Sequence, residues 1–511
     1  MIKKNANAAR VAYLVSSILL GSALNTLVFA HEGEATATTT ANVSNSVTPD
    51  CQILTAKRLF DGINFPQENM AVLIQERKVV RVDTPAALNT LCANRYNLGD
   101  ATILPGFIES HAHVTFQNVS KEAVLKHGIT TVQDTGGPLL PVSGGQGALR
   151  LMSVGPILQA PTGYPLNIFG GTGGYDKIGY PVESAAQAQE VVQHLIDGGA
   201  TAIKIALEPG GEIGAPWMQP HDGPVPPTPW PMLSEAITKA IVDKAHALGK
   251  RVIAHVGEEQ GFTRALNAKV DELAHMPCAP ISEDLLQRAV TQGVTFVTTV
   301  DTLSSCANTA TQMGIHSNMM SLAKKGAKFI YGSEVAHDNV PWGINGEELH
   351  MMLHLTSGGA IDFPKVVNVI KSATSTAGAR LGIPGLGTLS AGAPADIIAV
   401  RGNPFVRFKL LEYPDLVISG GQTVVNNFKN QAASVNTDCL LNWAETKYPA
   451  QYAPAGAYTE FTDEYAYRYY ATTKTYLGIS LLGKHIDTQG ADGVIKTQAT
   501  LAEWLTASGC Q

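Results

Sequence analysis

The strongest constraint on the fold is an alternation of short apolar, strand-like segments with amphipathic, helix-like segments between residues 105 and 383. One repeat is clear where the amphipathic stretch 234–248 leads into the apolar run 251–255. Strands that alternate with helices pair in parallel, because each helix carries the chain back to the start of the next strand. The number of repeats and the length of the region predict an α/β fold, a (β/α)8 TIM barrel.

Polar side chains stand where several of these predicted strands end. In a TIM barrel the C-terminal strand ends converge on one mouth, so such side chains meet there. Residues i and i+2 of a strand point to the same face, which places both imidazoles of the His-Ala-His pair at 111–113 together. The candidate site residues, on five predicted strands, are His111, His113, Lys204, His255, His275 and Glu334.

These residue types suit a centre of two metal ions. Neutral imidazoles bind Zn²⁺ or a similar divalent ion and leave a position open for water. Two ions that lie close together need a bridging anion. Lys204 can supply it, because a buried lysine with a depressed pKa can react with CO₂ to give a carbamate. Glu334 can bind one ion and, as the predicted catalytic residue, take the proton from attacking water.

The segments that carry these residues resemble the amidohydrolase superfamily, specifically its imidazolonepropionase-related and Xaa-Pro-dipeptidase-like branch. The resemblance covers roughly residues 50–430. It implies the barrel, a β domain built from both flanks, and a two-metal site in which His111, His113 and Glu334 hold one ion. His255 and His275 hold the other, and carbamylated Lys204 bridges the two. The matching segments are residues 105–113, 202–205, 252–255, 272–275, 331–334 and 387–398.

The eighth predicted strand departs from the family pattern. The family usually has Gly-Thr/Ser-Asp where this chain has Gly332-Ser333-Glu334. A shift of about 1 Å in a catalytic group can cost about 100-fold in rate. Either the site has readjusted around the longer side chain, or its activity is weakened or redirected. His337 and Asp338 are nearby alternatives for the base, or simply loop residues, and Asp134 is either an acceptor for a ligand histidine or a turn residue.

Five further segments complete the predicted organisation. Residues 50–104 and 384–430 contain strand-like runs and are expected to form one composite β-sandwich domain around the barrel at 105–383. Residues 31–49 form a flexible leader without periodicity, and residues 436–511 form a small C-terminal domain. Residues 1–30 have the basic region, the apolar region and the small-residue cleavage site of a signal peptide. The mature chain is therefore expected to be periplasmic or secreted, and no transmembrane segment is expected after cleavage.

Charge and cysteine content agree with export. Removal of residues 1–30 takes away Lys3, Lys4 and Arg10 and no acid, which changes the formal charge from −7 to −10. An acidic chain argues against nucleic acid as a partner. Six cysteines permit three disulfides, and fifteen pairings are possible. Their positions, two in each structural unit, predict the pairs Cys51–Cys92, Cys278–Cys306 and Cys439–Cys510.

The sequence therefore predicts an exported, metal-dependent hydrolase that cleaves an amide bond in a small peptide or N-acyl amino acid. Assembly into a homo-oligomer is compatible with the sequence. A cyclic amidase or deaminase on the same fold is an alternative, although typical deaminases use one metal and lack the bridging lysine. A non-catalytic metal-binding or ligand-binding protein is a second alternative, in which Glu334 marks lost chemistry. Metal analysis and a substrate screen distinguish these three.

Overall fold

A computed structural model describes residues 51–221, 223–307, 314–335, 337, 340–428, 437–453, 458–461, 465–480 and 484–510. The predicted signal peptide and leader, and Asp338, lie outside the described residues. The described residues form one compact unit.

The strands fall into three groups along the chain. The first strands are β1 Cys51–Leu59, β2 Gln67–Gln75, β3 Lys78–Asp83, β4 Arg95–Asn97 and β5 Ala101–Pro105. The central strands are β6 Phe107–Ala112, β7 Ile129–Asp134, β8 Arg150–Ser153, β9 Ile157–Gln159, β10 Gly179–Pro181, β11 Ile203–Ala206, β12 Val252–His255, β13 Glu272–Ala274, β14 Thr295–Val297 and β15 Lys328–Ile330. The last strands are β16 Ile397–Arg401, β17 Leu416–Ser419, β18 Gln422–Asn426, β19 Tyr458–Phe461, β20 Tyr465–Tyr470, β21 Thr475–Ser480, β22 His485–Gln489 and β23 Ile495–Thr500.

The α-helices are α1 Pro85–Leu88, α2 Lys121–Lys126, α3 Leu166–Phe169, α4 Ala185–Asp197, α5 Glu235–Ala247, α6 Glu259–Ala268, α7 Glu283–Gln292, α8 Ser304–Ala307, α9 Gly314–Lys324, α10 Gly346–Thr356, α11 Phe363–Ser372, α12 Ser375–Ala379, α13 Thr437–Lys447 and α14 Leu501–Ser508. Two short 3₁₀ helices span Pro216–Met218 and Phe408–Glu412.

The central strands run parallel, as the alternating sequence pattern predicts. One sheet has the order β10-β9-β11-β12-β13-β14-β15 and a second has the order β6-β7-β8. The contacts that link them include a parallel bridge between Ala112 and Val335 and a hydrogen bond from Thr201 N to Ser153 O at 2.9 Å. Parallel sheets joined at both ends are consistent with a TIM-like barrel.

Helix α5 illustrates why the helical segments form where the pattern predicts them. Ser234 caps its N-terminus, because the Ser234 hydroxyl accepts a hydrogen bond from Ile237 N at 3.2 Å. The helix buries Ile241, Val242 and Ala245 on one face. Strand β12 follows within a few residues and delivers His255 to its C-terminal end.

One sheet combines strands from both flanks of the central region. Its order is β18-β17-β16-β5-β1-β2-β3, with β4 paired to β1. The joining pair is β5 with β16, antiparallel, in which Leu104 lies opposite Ile398. Apolar side chains from both flanks, including Ile103 and Ile397, share one core. Strands that precede the central region in the chain are therefore paired with strands that follow it.

The last strands, β19 to β23, form a separate antiparallel sheet. Its core includes Leu440 of α13, Tyr470 and Leu477 of the sheet, and Trp504 of α14. In the described part of the chain no helix is both long and apolar enough to cross a membrane.

All three disulfide pairings predicted from cysteine position are confirmed. Their Cα–Cα distances are 6.0 Å for Cys51–Cys92, 5.6 Å for Cys278–Cys306 and 5.7 Å for Cys439–Cys510. Each distance lies within the range that a disulfide requires. Disulfides persist in oxidising compartments, so three of them indicate an oxidising, extracytoplasmic environment.

Candidate metal centre

Five of the six predicted site residues lie at or just beyond the C-terminal ends of central strands, and the sixth, Lys204, lies inside one. His111 and His113 lie at the end of β6, and Lys204 lies within β11. His255 is the last residue of β12, and His275 follows β13 directly. Glu334 comes four residues after the end of β15. Parallel pairing brings these ends to one edge.

Three of these residues form a group able to hold a metal ion. One ligand atom from each of His111, His113 and Glu334 lies within 4.8 Å of the other two. His113 Nε2 is 4.0 Å from Glu334 Oε1. His111 is fully buried, and neither of its ring nitrogens has a hydrogen-bond partner among the described residues. A buried imidazole without a partner is costly, and a metal ion on one nitrogen would satisfy it.

His275 and His255 continue the group on the neighbouring strands. The ring of His275 lies 4.4 Å from that of His111 and 4.9 Å from that of His255, measured between centroids. His275 Nδ1 is 3.9 Å from Glu334 Oε2, so the Glu334 carboxylate lies near His275 as well as near His113. Lys204 is buried and interacts electrostatically with each of the four histidines. The structure thus brings all six predicted residues together.

Hydrogen bonds occupy one ring nitrogen of each of two histidines. His113 Nδ1 donates to the Gly136 carbonyl at 3.0 Å, and His275 Nδ1 lies 2.8 Å from Thr299 Oγ1. Each contact leaves Nε2 for a metal ion. Metal-binding histidines generally have a second partner of this kind, which fixes the tautomer and the ring orientation.

Burial keeps the nitrogen side chains neutral, which is the form that metal binding and carbamylation need. It lowers the pKa of His113 to about 4 and that of His255 to about 3, with the Lys204 charge acting in the same direction. Burial also lowers the pKa of Lys204 to about 7. A substantial fraction of Lys204 is therefore the free amine at neutral pH.

Glu334 has the environment of a proton acceptor. Burial raises its pKa, against the opposing effects of His337 and Lys204. Its backbone adopts φ = 61°, and that of His275 adopts φ = 100°, both in the left-handed region that non-glycine residues seldom occupy. Such backbone strain concentrates at functional sites, where the surrounding structure imposes it.

Two other residues considered from the sequence lie beside the centre. His337 N donates to the Glu334 carbonyl at 3.0 Å, and the His337 side chain is half-buried. Asp134 Oδ2 accepts a hydrogen bond from Thr115 N at 3.2 Å, and burial raises its pKa to about 6. Asp134 therefore contacts the backbone two residues after His113, and a role toward a histidine ring stays a prediction.

Sequence reasoning missed Glu109. Its carboxylate is fully buried and accepts hydrogen bonds from His111 N at 2.8 Å and from Ser333 Oγ at 2.8 Å. It therefore connects β6 to the segment that carries Glu334. Strand alternation contained the signal, since Glu109 lies two residues before His111 and thus on the same face.

Sequence reasoning also missed two buried glutamates that follow β11. Glu208 Oε2 lies 3.3 Å from His255 Nε2, and Glu212 Oε2 accepts a hydrogen bond from Trp217 Nε1 at 3.1 Å. Burial raises the pKa of Glu208 to about 8 and that of Glu212 to about 7. An acidic residue four positions after Lys204, at a strand end, was the available signal.

Aromatic side chains surround His255. The Trp217 ring lies edge-on to it at 4.6 Å, and the Tyr164 ring lies at 4.7 Å. Tyr164 also stacks on Trp230 at 6.2 Å. Trp217, His221 and Trp230 all belong to the long segment between β11 and α5. Of these, Trp217 contacts the histidines directly, whereas His221 packs on Phe169 at 4.7 Å.

Comparison with known proteins agrees with this arrangement. The A. niger ochratoxinase structure has a TM-score of 0.57 at 19% identity, covering 74% of this chain and 96% of that one. A Xaa-Pro dipeptidase with bound methionine has a TM-score of 0.57 at 20% identity, covering 73% and 99%. Molinate hydrolase has a TM-score of 0.57 at 16% identity, covering 76% and 97%. At these identities the likeness shows a shared fold.

None of the curated proteins compared with the chain matches it. The model of the Amidohydrolase family does match, over residues 102–438, which include all six site residues and most of the chain. This chain therefore belongs to the amidohydrolase family, as the motifs of its strand ends indicate.

Proposed function

We propose that this protein is an exported, metal-dependent hydrolase that cleaves an amide bond in a small peptide or an N-acyl amino acid. The observation that carries the proposal is the convergence of His111, His113 and Glu334 on one point, with His275 directly beside them. Family membership and hydrolase structural neighbours support hydrolysis as the reaction class.

The residues present fit a centre of two divalent ions, and zinc is the ion that we expect. His111, His113 and Glu334 would hold one ion, and His255 and His275 would hold the other. Lys204 would bridge them after its neutral amine forms a bond to the carbon of CO₂ and releases one proton. The unpartnered nitrogens of buried His111 support this assignment. When bound, such ions polarise a carbonyl and lower the pKa of a water from 15.7 to about 7.

Glu334 would act as general base and then as general acid. Its carboxylate lies between His113 and His275, at 4.0 Å and 3.9 Å. It accepts a proton from the water that attacks the substrate carbonyl carbon. It returns this proton to the nitrogen as the carbon–nitrogen bond breaks, so that an amine leaves and a carboxylic acid remains. Burial raises its pKa and favours the first transfer.

The walls of the site support a small substrate. Trp217 and Tyr164 stand against His255 at ring distances of 4.6 and 4.7 Å, so bulky aromatic surface limits the space beside this histidine. The named activities of two structural neighbours, a Xaa-Pro dipeptidase and an ochratoxinase, favour a peptide or acylated amino acid. A ring-opening amidase or deaminase remains the second candidate on the same fold.

We further propose a closed eight-stranded barrel at 105–383, a composite domain from 50–104 and 384–430, and a C-terminal domain at 436–511. The links between β6 and the segment after β15, and between β8 and β11, support barrel closure. Three disulfides together with the signal-like residues 1–30 support export.

Metal analysis combined with a substrate screen tests the function. The mature chain, prepared with zinc and bicarbonate, is expected to contain two ions and to hydrolyse dipeptides or N-acyl amino acids. Turnover confined to cyclic amides or amino-substituted rings would favour the second candidate. Two bound ions without turnover of any amide would favour the non-catalytic alternative.

A further inference from the structure

Glu208 is a buried acidic residue whose carboxyl group lies against His255, one of the proposed metal ligands. Its Oε2 lies 3.3 Å from His255 Nε2, at the long end of hydrogen-bond distance. The contact is an N···O approach rather than an aligned hydrogen bond, and both atoms are buried without a hydrogen-bond partner in the described part of the chain. Both side chains are almost completely buried.

Glu208 is held in this position by its surroundings. Its other oxygen, Oε1, accepts a hydrogen bond from Gly210 N at 2.7 Å. The neighbouring carboxyl of Glu212 contacts it and is itself fixed by Trp217 Nε1 at 3.1 Å. The Trp217 ring in turn packs edge-on against His255. Glu208, Glu212, Trp217 and His255 thus form a closed set of contacts.

Close packing around Gly257 is part of this set. A Cβ atom at position 257 would lie 2.5 Å from Glu208 Oε2, 2.7 Å from Trp217 Cζ2 and 3.1 Å from Glu212 Oε1. At distances below 3.0 Å a neighbour must shift, so a side chain here would displace the Glu208 carboxyl, the Trp217 ring or both. Glycine at this position leaves room for the Glu208 carboxyl to lie against His255.

We propose that Glu208 is a positioning residue that binds His255 through Nε2 and so presents Nδ1 to the second metal ion. The assignment rests on the proposed function. It completes a pattern seen at His113 and His275, where a contact at one ring nitrogen leaves the other for metal. A carboxylate in this role fixes the histidine tautomer and makes the imidazole a stronger ligand.

Zinc titration of the metal-free mature chain against a chromogenic chelator tests the proposal. Glu208→Ala is expected to weaken one of the two zinc sites by about 10- to 100-fold and to leave the other within threefold. Glu208→Gln should recover part of the loss, because its amide oxygen can still accept from Nε2. Gly257→Ala should reproduce the loss without removing any charge. Glu348→Gln is the matched control, a buried carboxylate bonded to Asp301 N, and should change neither site.

The possible outcomes separate the alternatives. Wild-type zinc affinity at both sites in Glu208→Ala and in Gly257→Ala would overturn the assignment. A raised KM for substrates with a positive charge, at unchanged zinc affinity, would also overturn it and would make Glu208 a substrate contact. Equal weakening of both sites together with a lower melting temperature of the metal-free variant would indicate a purely structural residue. Failure of the wild type to bind zinc would instead overturn the proposed function.

Discussion

The carboxylate of Glu109 accepts a hydrogen bond from the Ser333 hydroxyl at 2.8 Å and another from Ser333 N at 3.0 Å. A third comes from His111 N at 2.8 Å. Because Ser333 precedes Glu334, one buried side chain fixes the distance between the strand that carries two histidines and the segment that carries the proposed base.

This relationship predicts that Glu109→Ala is strongly destabilising. Each buried donor left without an acceptor costs about 1–3 kcal/mol. We expect a loss of several kcal/mol in the free energy of unfolding, measured by denaturant titration. Glu109→Gln, which keeps one acceptor oxygen, should lose less, and Ser333→Ala should lose about 1 kcal/mol. A Glu109→Ala protein as stable as the wild type would contradict the proposal that Glu109 joins the two segments.

Lys204→Ala should abolish turnover and lower the metal content. The bridge between the two ions disappears, while the histidines and Glu334 remain. Elemental analysis after gel filtration should give fewer than two ions for each chain. Wild-type protein stripped of CO₂ should show the same deficit and recover on addition of bicarbonate. Two ions retained in Lys204→Ala would refute the carbamate assignment.

Glu334→Gln is expected to keep the fold and most of the metal but to reduce kcat by several orders of magnitude, because an amide cannot accept a proton from water. Glu334→Asp is the informative companion. If the site has reshaped around the longer side chain, as contacts to both His113 and His275 suggest, activity should fall. Higher activity in Glu334→Asp would show that glutamate marks decay of the site. Full activity in Glu334→Gln would move the base to His337 or Asp338.

Glu348 is expected to make the stability of the metal-free protein depend on pH. Burial raises its pKa from 4.5 to about 7 in the folded protein. The folded state therefore binds the proton more tightly than the unfolded state, and wild-type stability relative to Glu348→Gln is highest below pH 4.5. The free energy of unfolding of the wild type, relative to that of Glu348→Gln, should decrease as the pH rises through about 7, by roughly 3 kcal/mol in total. Parallel denaturant titrations of the two metal-free proteins from about pH 4.5 to about pH 8.5 measure this difference. A difference that does not change with pH would show that Glu348 is not perturbed.

Much of the site could be predicted from the sequence because its signals are local. Strand periodicity places His111 and His113 on one face, and alternation with helices places Lys204, His255 and His275 at successive parallel strand ends. Disulfide partners could be assigned because each pair falls within one structural unit. These inferences depend only on backbone geometry over a few residues and on the rule that parallel strands end together.

Tertiary structure decided which loop side chains reach the histidines. The pairing of β11 with β12 puts Ala206 opposite His255, and Leu207 N donates to the His255 carbonyl. Glu208 comes directly after these contacts and so reaches the His255 ring, whereas a one-residue change of register would turn it to the other face. The sequence by itself determined the residue types and their order along the chain. The meeting of Glu208 with His255 depends on strand register and on close packing at Gly257, which are set by contacts between residues far apart in the chain.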